Sequence, residues 1–223
     1  MSASERPSQS SSEGTASSSL SHPLLSVRAI SRPGLAPASL RVAHGQCVAI
    51  DGPSGAGKTL LLRAIADLDP NSGEVVLNGR PRHAIPAPDW RRQVGYIAAE
   101  SGWWGESVGS HLADGDRIAP LLTELSLPAD AGTWPIARLS TGERQRLALV
   151  RTLTRFPLVL LLDEPTSALD QATTERVENV LRRMLRNGVG IVLVTHDRDQ
   201  IARLADLRLT MRAGTLTAAD EGA

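Results

Sequence analysis

The 223-residue chain holds a single cysteine, Cys47. That excludes an intramolecular disulfide framework and any multi-cysteine zinc site, and it fits a reducing compartment. Net charge is also missing, because 24 basic and 24 acidic residues cancel. A chain-wide electrostatic grip on nucleic acid or anionic lipid is therefore not expected. No apolar run approaches the roughly 20 residues that a membrane span needs, and no basic-then-apolar export signal opens the chain. What is present, 41% hydrophobic and 22% charged residues, is ordinary soluble composition. The length suffices for one good-sized domain or two small ones, with a substantial core. These features predict a cytosolic globular protein.

Residues 1–22 are mostly Ser with Gly, Pro and scattered charge. They lack the apolar surface to offset ordering entropy and read as a disordered tail. Order is expected from about Leu24. Cys47–Ile50, Leu158–Leu162 and Ile191–Val194 are short apolar runs without polar alternation, which predicts strands covered on both faces, as in a parallel sheet. Val94–Ala98 is a fourth candidate. Between the second and third runs lies a helix that Asp170 caps, with Val177, Val180, Leu181, Met184 and Leu185 on one face and Asn187-Gly188 as its stop. Strand, helix, strand is a crossover unit, so the class is α/β. Leu24–Ile30, Ser39–Val42 and Glu74–Leu77 read as an antiparallel patch beside the main sheet, whereas Asn78–Trp90 and Glu100–Pro135 read as loop.

The chemistry begins at Gly52-Pro53-Ser54-Gly55-Ala56-Gly57-Lys58-Thr59, which fits G-x-x-x-x-G-K-[ST] and directly follows a strand. A helix is expected from Leu60 to Leu68. Glycines let the backbone wrap phosphates at a helix N-terminus. Lys58 then reaches the terminal phosphates and the Thr59 hydroxyl ligates Mg²⁺. The run Leu158–Leu162 ends in Asp163-Glu164. Asp163, at the tip of a buried strand, is placed to hold Mg²⁺, and Glu164 to act as general base. Leu139-Ser140-Thr141-Gly142-Glu143-Arg144-Gln145-Arg146 contains a capping box of Ser140 and Glu143, and a capped helix start is also an anion site. His196 follows directly on the strand that ends at Val194.

The phosphate loop at 52–59, LSTGERQR at 139–146, LVLLLDEPTSALD at 158–170 and Thr195-His196-Asp197 come in that order. In this the chain resembles the nucleotide-binding subunit of ATP-binding cassette (ABC) transporters, over about Leu24 to Thr217. The resemblance implies a P-loop NTPase fold over residues 23–217, with a small helical subdomain inserted at about 100–155 and a short tail at 218–223. It implies an ATPase with ATP and Mg²⁺ as cofactors, acting as two copies that close head to tail around two nucleotides. Ser140 and Gly142 would contact the γ-phosphate of ATP on the other copy, Asp170 would sit at the seam, and His196 would touch the γ-phosphate. The partners implied are a second copy and a membrane-spanning subunit, at the cytoplasmic face of the cell membrane.

The chain departs from that pattern at several positions. Thr141 stands where the family usually has Gly, and Thr is stiffer. No aromatic residue precedes the phosphate loop to stack on adenine, and Arg32 is the nearest planar group. The Gln that normally follows the Val94–Ala98 strand is replaced by Ala99, with Glu100 beside it. Trp103-Trp104 either anchor an interface or pack inside the subdomain. The alternatives are a soluble ATPase of this type working on DNA or ribosomes, a small-molecule kinase, and an ATP-binding regulatory module. Long insertions favour the first and are missing, the 139–146 signature has no use in the second, and intact Glu164 and His196 argue against the third.

Overall fold

The computed structural model describes residues 22–112 and 118–219. The expected tail at 1–22 lies outside them except for His22, as do 220–223 of the expected C-terminal tail. The chain enters two antiparallel strands, β1 (Leu25–Arg32) and β2 (Leu35–Val42), which register Leu25 against Val42. Next, β3 (Cys47–Asp51) runs into the glycine-rich loop and α1 (Lys58–Ile65). This helix starts earlier than the expected Leu60 because Gly57 already serves as its N-cap, and it stops before the expected Leu68 because Asp67 takes a positive φ of 58°. Strand β4 (Ser72–Leu77) returns antiparallel to β1, and the two-residue β5 (Arg80–Pro81) completes a four-stranded sheet in the order β2-β1-β4-β5.

The stretch expected as loop at 78–90 holds the start of α2 (Ala87–Gln93), a helix with Pro in its first turn, where the missing N–H costs nothing. Its Trp90 is fully buried and donates from Nε1 to Ile65 O at 3.0 Å. Strand β6 (Val94–Ile97) follows. Between β6 and α4 (Thr141–Leu153) the described residues form α3 (Ile118–Glu124) and short 3₁₀ turns at Val108–His111, Ala131–Thr133 and Ile136–Arg138. Within the segment expected as a helical subdomain at 100–155, the described residues hold two α-helices and three 3₁₀ turns. Then come β7 (Val159–Asp163), α5 (Gln171–Arg186), β8 (Gly190–Val194), α6 (Arg198–Leu204) and a hairpin of β9 (Leu207–Arg212) and β10 (Thr215–Ala218).

The second sheet is six-stranded, in the order β10-β9-β3-β8-β7-β6, and parallel except for β10. Its strands alternate between two separate cores. Val48, Ile50, Val159, Leu161, Val192 and Val194 face the core shared with α1 and the antiparallel sheet. Cys47, Leu160, Leu162, Ile191 and Leu193 face the core shared with α4 and α5. Both faces are apolar, which is why these strands read as unbroken hydrophobic runs. Cys47 is simply a buried apolar side chain there, and burial pushes its thiol pKa up to about 12.

Candidate functional site

Strands β3, β8 and β7 are neighbours and parallel, so the segments that leave their carboxyl ends converge on one edge of the sheet. That edge is where open α/β sheets bind ligands. From β3 comes the loop 52–57. Gly52 has φ +135° and leaves no space for a side chain, since a Cβ would come within 2.0 Å of Met211 O. The loop therefore lies directly on β9. Lys58, buried in the first turn of α1, donates from Nζ to Gly52 O at 2.6 Å and Pro53 O at 3.0 Å. Its charge is held over the loop by the loop's own carbonyls. Next to it, Thr59 Oγ1 donates to Asp163 Oδ2 at 2.6 Å, joining the start of α1 to the tip of β7.

A hydroxyl beside a carboxylate is a hard oxygen donor set. Among the described residues no group of three or more His, Cys, Asp or Glu side chains is placed to hold a metal. One carboxylate and one hydroxyl suit Mg²⁺, which keeps several waters and takes its remaining ligands from substrate phosphates. The residues present fit that ion.

Glu164 differs from its neighbour Asp163. It takes a left-handed backbone conformation, φ 50°, uncommon for a residue with a long side chain. Its N–H donates to Val194 O at 2.9 Å, tying the end of β7 to the end of β8. Glu164 Oε1 is buried without a hydrogen-bond partner, and His196 Nε2 lies 3.2 Å from it, close enough for charge pairing but off hydrogen-bond alignment. Burial raises the Glu164 pKa above the usual carboxylate value, with His196 opposing it. A carboxylate made more basic in this way is a better proton acceptor. Ser54, Glu164, Ser167, Thr195, His196 and Asp197 line one cleft, so residues from all three strand ends share it.

The 139–146 segment is fixed from another direction. Ser140 and Glu143 form both halves of the capping box, with Glu143 N to Ser140 Oγ at 3.3 Å and Ser140 N to Glu143 Oε2 at 2.8 Å. Ser140 is exposed. Gly142 packs against the turn after β7, where a Cβ would meet Leu169 at 3.1 Å and Ala168 O at 3.2 Å. Asp170 is exposed and caps α5 through Thr173 N at 2.8 Å. Neither Ser140 nor Gly142 lines the clefts at the phosphate loop of their own chain.

Three features were missed in the sequence. Buried Gln145 donates from Nε2 to Glu164 O at 3.2 Å and to Ser167 Oγ at 3.1 Å, coupling α4 to the turn that carries Glu164. Its place inside the 139–146 motif was the available signal. Tyr96 OH lies 3.4 Å from Asp163 Oδ2, and burial raises its pKa. Arg32, the expected planar group for adenine, turns its guanidinium to Asp69, which Arg63 also holds at 2.6 and 2.8 Å. At the position of the missing Gln, Ala99 offers no polar side chain and Glu100 is exposed. The tryptophan pair divides its roles: Trp103 packs against the core while Trp104 is 68% exposed, and the Arg151 guanidinium lies 4.6 and 5.5 Å from their ring centroids.

Fold and site together define a nucleotide-binding domain of the P-loop NTPase type. The family described as ABC transporter matches residues 35–167. An Fe(3+) ions import ATP-binding protein, FbpC, of Pseudomonas fluorescens is 39% identical over 184 residues, 75% of this chain and 52% of that protein. A methionine import ATP-binding protein, MetN, of Thermobifida fusca is 38% identical over 196 residues, 80% of this chain and 61% of that protein. A solved ATP binding subunit of an ABC transporter superimposes with a TM-score of 0.79 at 24% identity, covering 89% of this chain and 91% of that one. This chain belongs to the ABC transporter family. It spans 52–61% of the length of the curated relatives just named.

Proposed function

We propose that this chain is the ATP-hydrolysing subunit of an ABC transporter. The observation that carries this reading is the meeting of Lys58, the Thr59–Asp163 pair and the Glu164–His196 pair at adjacent strand ends. Residues 52–57 wrap the phosphates, Lys58 neutralises them, and Thr59 with Asp163 holds Mg²⁺, which when bound offsets phosphate charge in the transition state. Glu164 takes the proton of the attacking water, and His196 keeps that carboxylate and the γ-phosphate in line. Two copies close head to tail, Ser140 and Gly142 of each reaching the nucleotide of the other, with Asp170 at the seam. The exposure of Ser140 and Asp170, neither of which lines the clefts at their own chain's phosphate loop, supports that arrangement.

A membrane-spanning subunit is the second partner, at the cytoplasmic face of the membrane. No helix among the described residues is long and apolar enough to cross a membrane. The partner contacts the Trp103-Trp104 segment, where Trp104 borders a groove of about 260 Å³ with Leu68, Arg91, Tyr96 and Arg155. The import proteins among the relatives favour import as the direction. The test is Lys58→Ala. It should weaken ATP binding and lower hydrolysis by about 100-fold or more, the loss expected when a phosphate clamp is removed. Because the Lys58 ammonium bonds to loop carbonyls alone among the described residues, the melting temperature should stay close to that of the parent. Unchanged binding and turnover would reject the phosphate-loop assignment.

A further inference from the structure

Glu178 on α5 is fully buried, yet it is a carboxylate in a core region. Arg203 grips it with Nε at 2.9 Å and Nη2 at 2.7 Å, Arg182 donates at 3.0 Å, and Gln200 at 3.4 Å. A buried ion pair of this kind is a poor source of net stability compared with apolar packing, so its value lies in fixing geometry. Its partners show which geometry. Arg203 and Gln200 both belong to α6, the seven-residue helix whose N-cap, Asp197, adjoins His196. Arg203 Nη2 also reaches to 3.8 Å from Asp197 Oδ2. Buried Gln200 donates from Nε2 to Thr166 Oγ1 at 3.0 Å, two residues beyond Glu164, and its backbone N–H is the one capped by Asp197, at 2.9 Å.

Glu178 and Gln200 together therefore tie three segments. Glu178, on the helix that begins beyond Asp170, holds Arg203 and Gln200 of the helix that begins beyond His196, and Gln200 holds Thr166 in the turn after Glu164. A short helix anchored at the core mainly by Ile201 and Leu204 leaves its axial rotation to polar ties. The phosphate loop, at the end of β3, receives none of these ties.

We infer that Glu178 and Arg203 are positioning residues for hydrolysis, holding α6 so that the His196 ring stands against the Glu164 carboxylate. The inference rests on the ATPase reading and deepens it. Loosening the clamp lets His196 move from Glu164 while the phosphate loop keeps its shape, so turnover falls and nucleotide affinity does not.

The experiment uses the full chain with R203Q and, separately, E178Q. Arg203 is 36% exposed, so R203Q loses its charge without opening a buried hole. Expected is a kcat lower by about tenfold with KM for MgATP within about twofold. In a His196→Ala background the same substitution should add less than about twofold, because the two act as one unit. A second readout needs no turnover. The chain has five histidines, and with labelled histidine the His196 ring resonance should shift in R203Q while those of His44, His83 and His111 stay. Overturning results are a His196 resonance identical to that of the parent, a shift shared by all the histidines, or a kcat loss as large without His196 as with it. Lys58→Ala is run alongside. If it hydrolyses ATP like the parent, the ATPase reading fails; if it is inactive while R203Q matches the parent in both readouts, only the positioning role fails.

Discussion

The two sheets of this protein are built to opposite plans. In the parallel sheet, β7 and β8 are buried at every position and β3 at all but Asp51. In the antiparallel sheet, β2 alternates buried and exposed residues, and β4 is exposed over Ser72, Gly73 and Glu74. Each residue of the proposed site follows or ends a parallel strand, or starts a helix packed on that sheet; the antiparallel sheet supplies none. A sheet clamped between two cores holds its strand ends rigidly, which suits groups that must meet within a few tenths of an ångström. A sheet with one wet face serves as a wall, and Arg32 of β1 ties it to α1 through Asp69.

Truncation within the clamped sheet should do the most damage. Leu161→Ala, at a fully buried position on β7, is expected to cost about 2–5 kcal/mol in urea unfolding. A cost below 1 kcal/mol would show that the parallel sheet is not the stabilising element.

The tie between the antiparallel sheet and α1 should be weaker and sensitive to acid. Asp69 is held by Arg63 on α1 and by Arg32 on β1, and these guanidiniums lower its pKa from 3.8 to about 2, with the Arg63 hydrogen bond the largest cause. A carboxyl with a depressed folded pKa stabilises fully above its unfolded value. That stabilisation, about 1–2 kcal/mol, is lost as pH falls from about 4 to about 2. Unfolding free energy measured over that range should fall less steeply in Asp69→Asn; equal slopes would mean the link is silent.

On the wet face of the antiparallel sheet the effect should be smallest. Arg28 and Glu74 pair at 3.2 Å with both side chains well exposed, and Glu74→Ala should change stability by less than about 0.5 kcal/mol. A larger loss would mean this face is more constrained than its exposure implies.

The same contrast governs what could be read in advance. The parallel strands, the glycine-rich loop between β3 and α1 and the caps at Ser140 and Asp170 are local patterns, and the structure has these elements where the residues indicated. The antiparallel strands came out short because their ends, such as Ser31-Arg32 and Leu35-Ala36, carry no alternation. Helix α2 was hidden by two prolines, Pro86 and Pro88, of which the second sits harmlessly in the first turn. The 3₁₀ turns at 108–138 have no hydrophobic period to find. Arg32 turning to Asp69, Gln145 reaching Glu164 and Arg203 closing on Glu178 join residues 19 to 37 positions apart. Such partners become visible only once the chain is folded.

Glu164→Gln tests the central claim most directly, because it keeps the shape of the side chain and removes its basicity. Under MgATP the account predicts that ATP still binds while single-turnover hydrolysis slows by about 10²- to 10⁴-fold, the span of general-base catalysis. The variant should also collect as an ATP-bound dimer in size-exclusion chromatography. Hydrolysis at the parent rate would contradict the claim that Glu164, raised in pKa at the end of β7 and faced by His196, is the base.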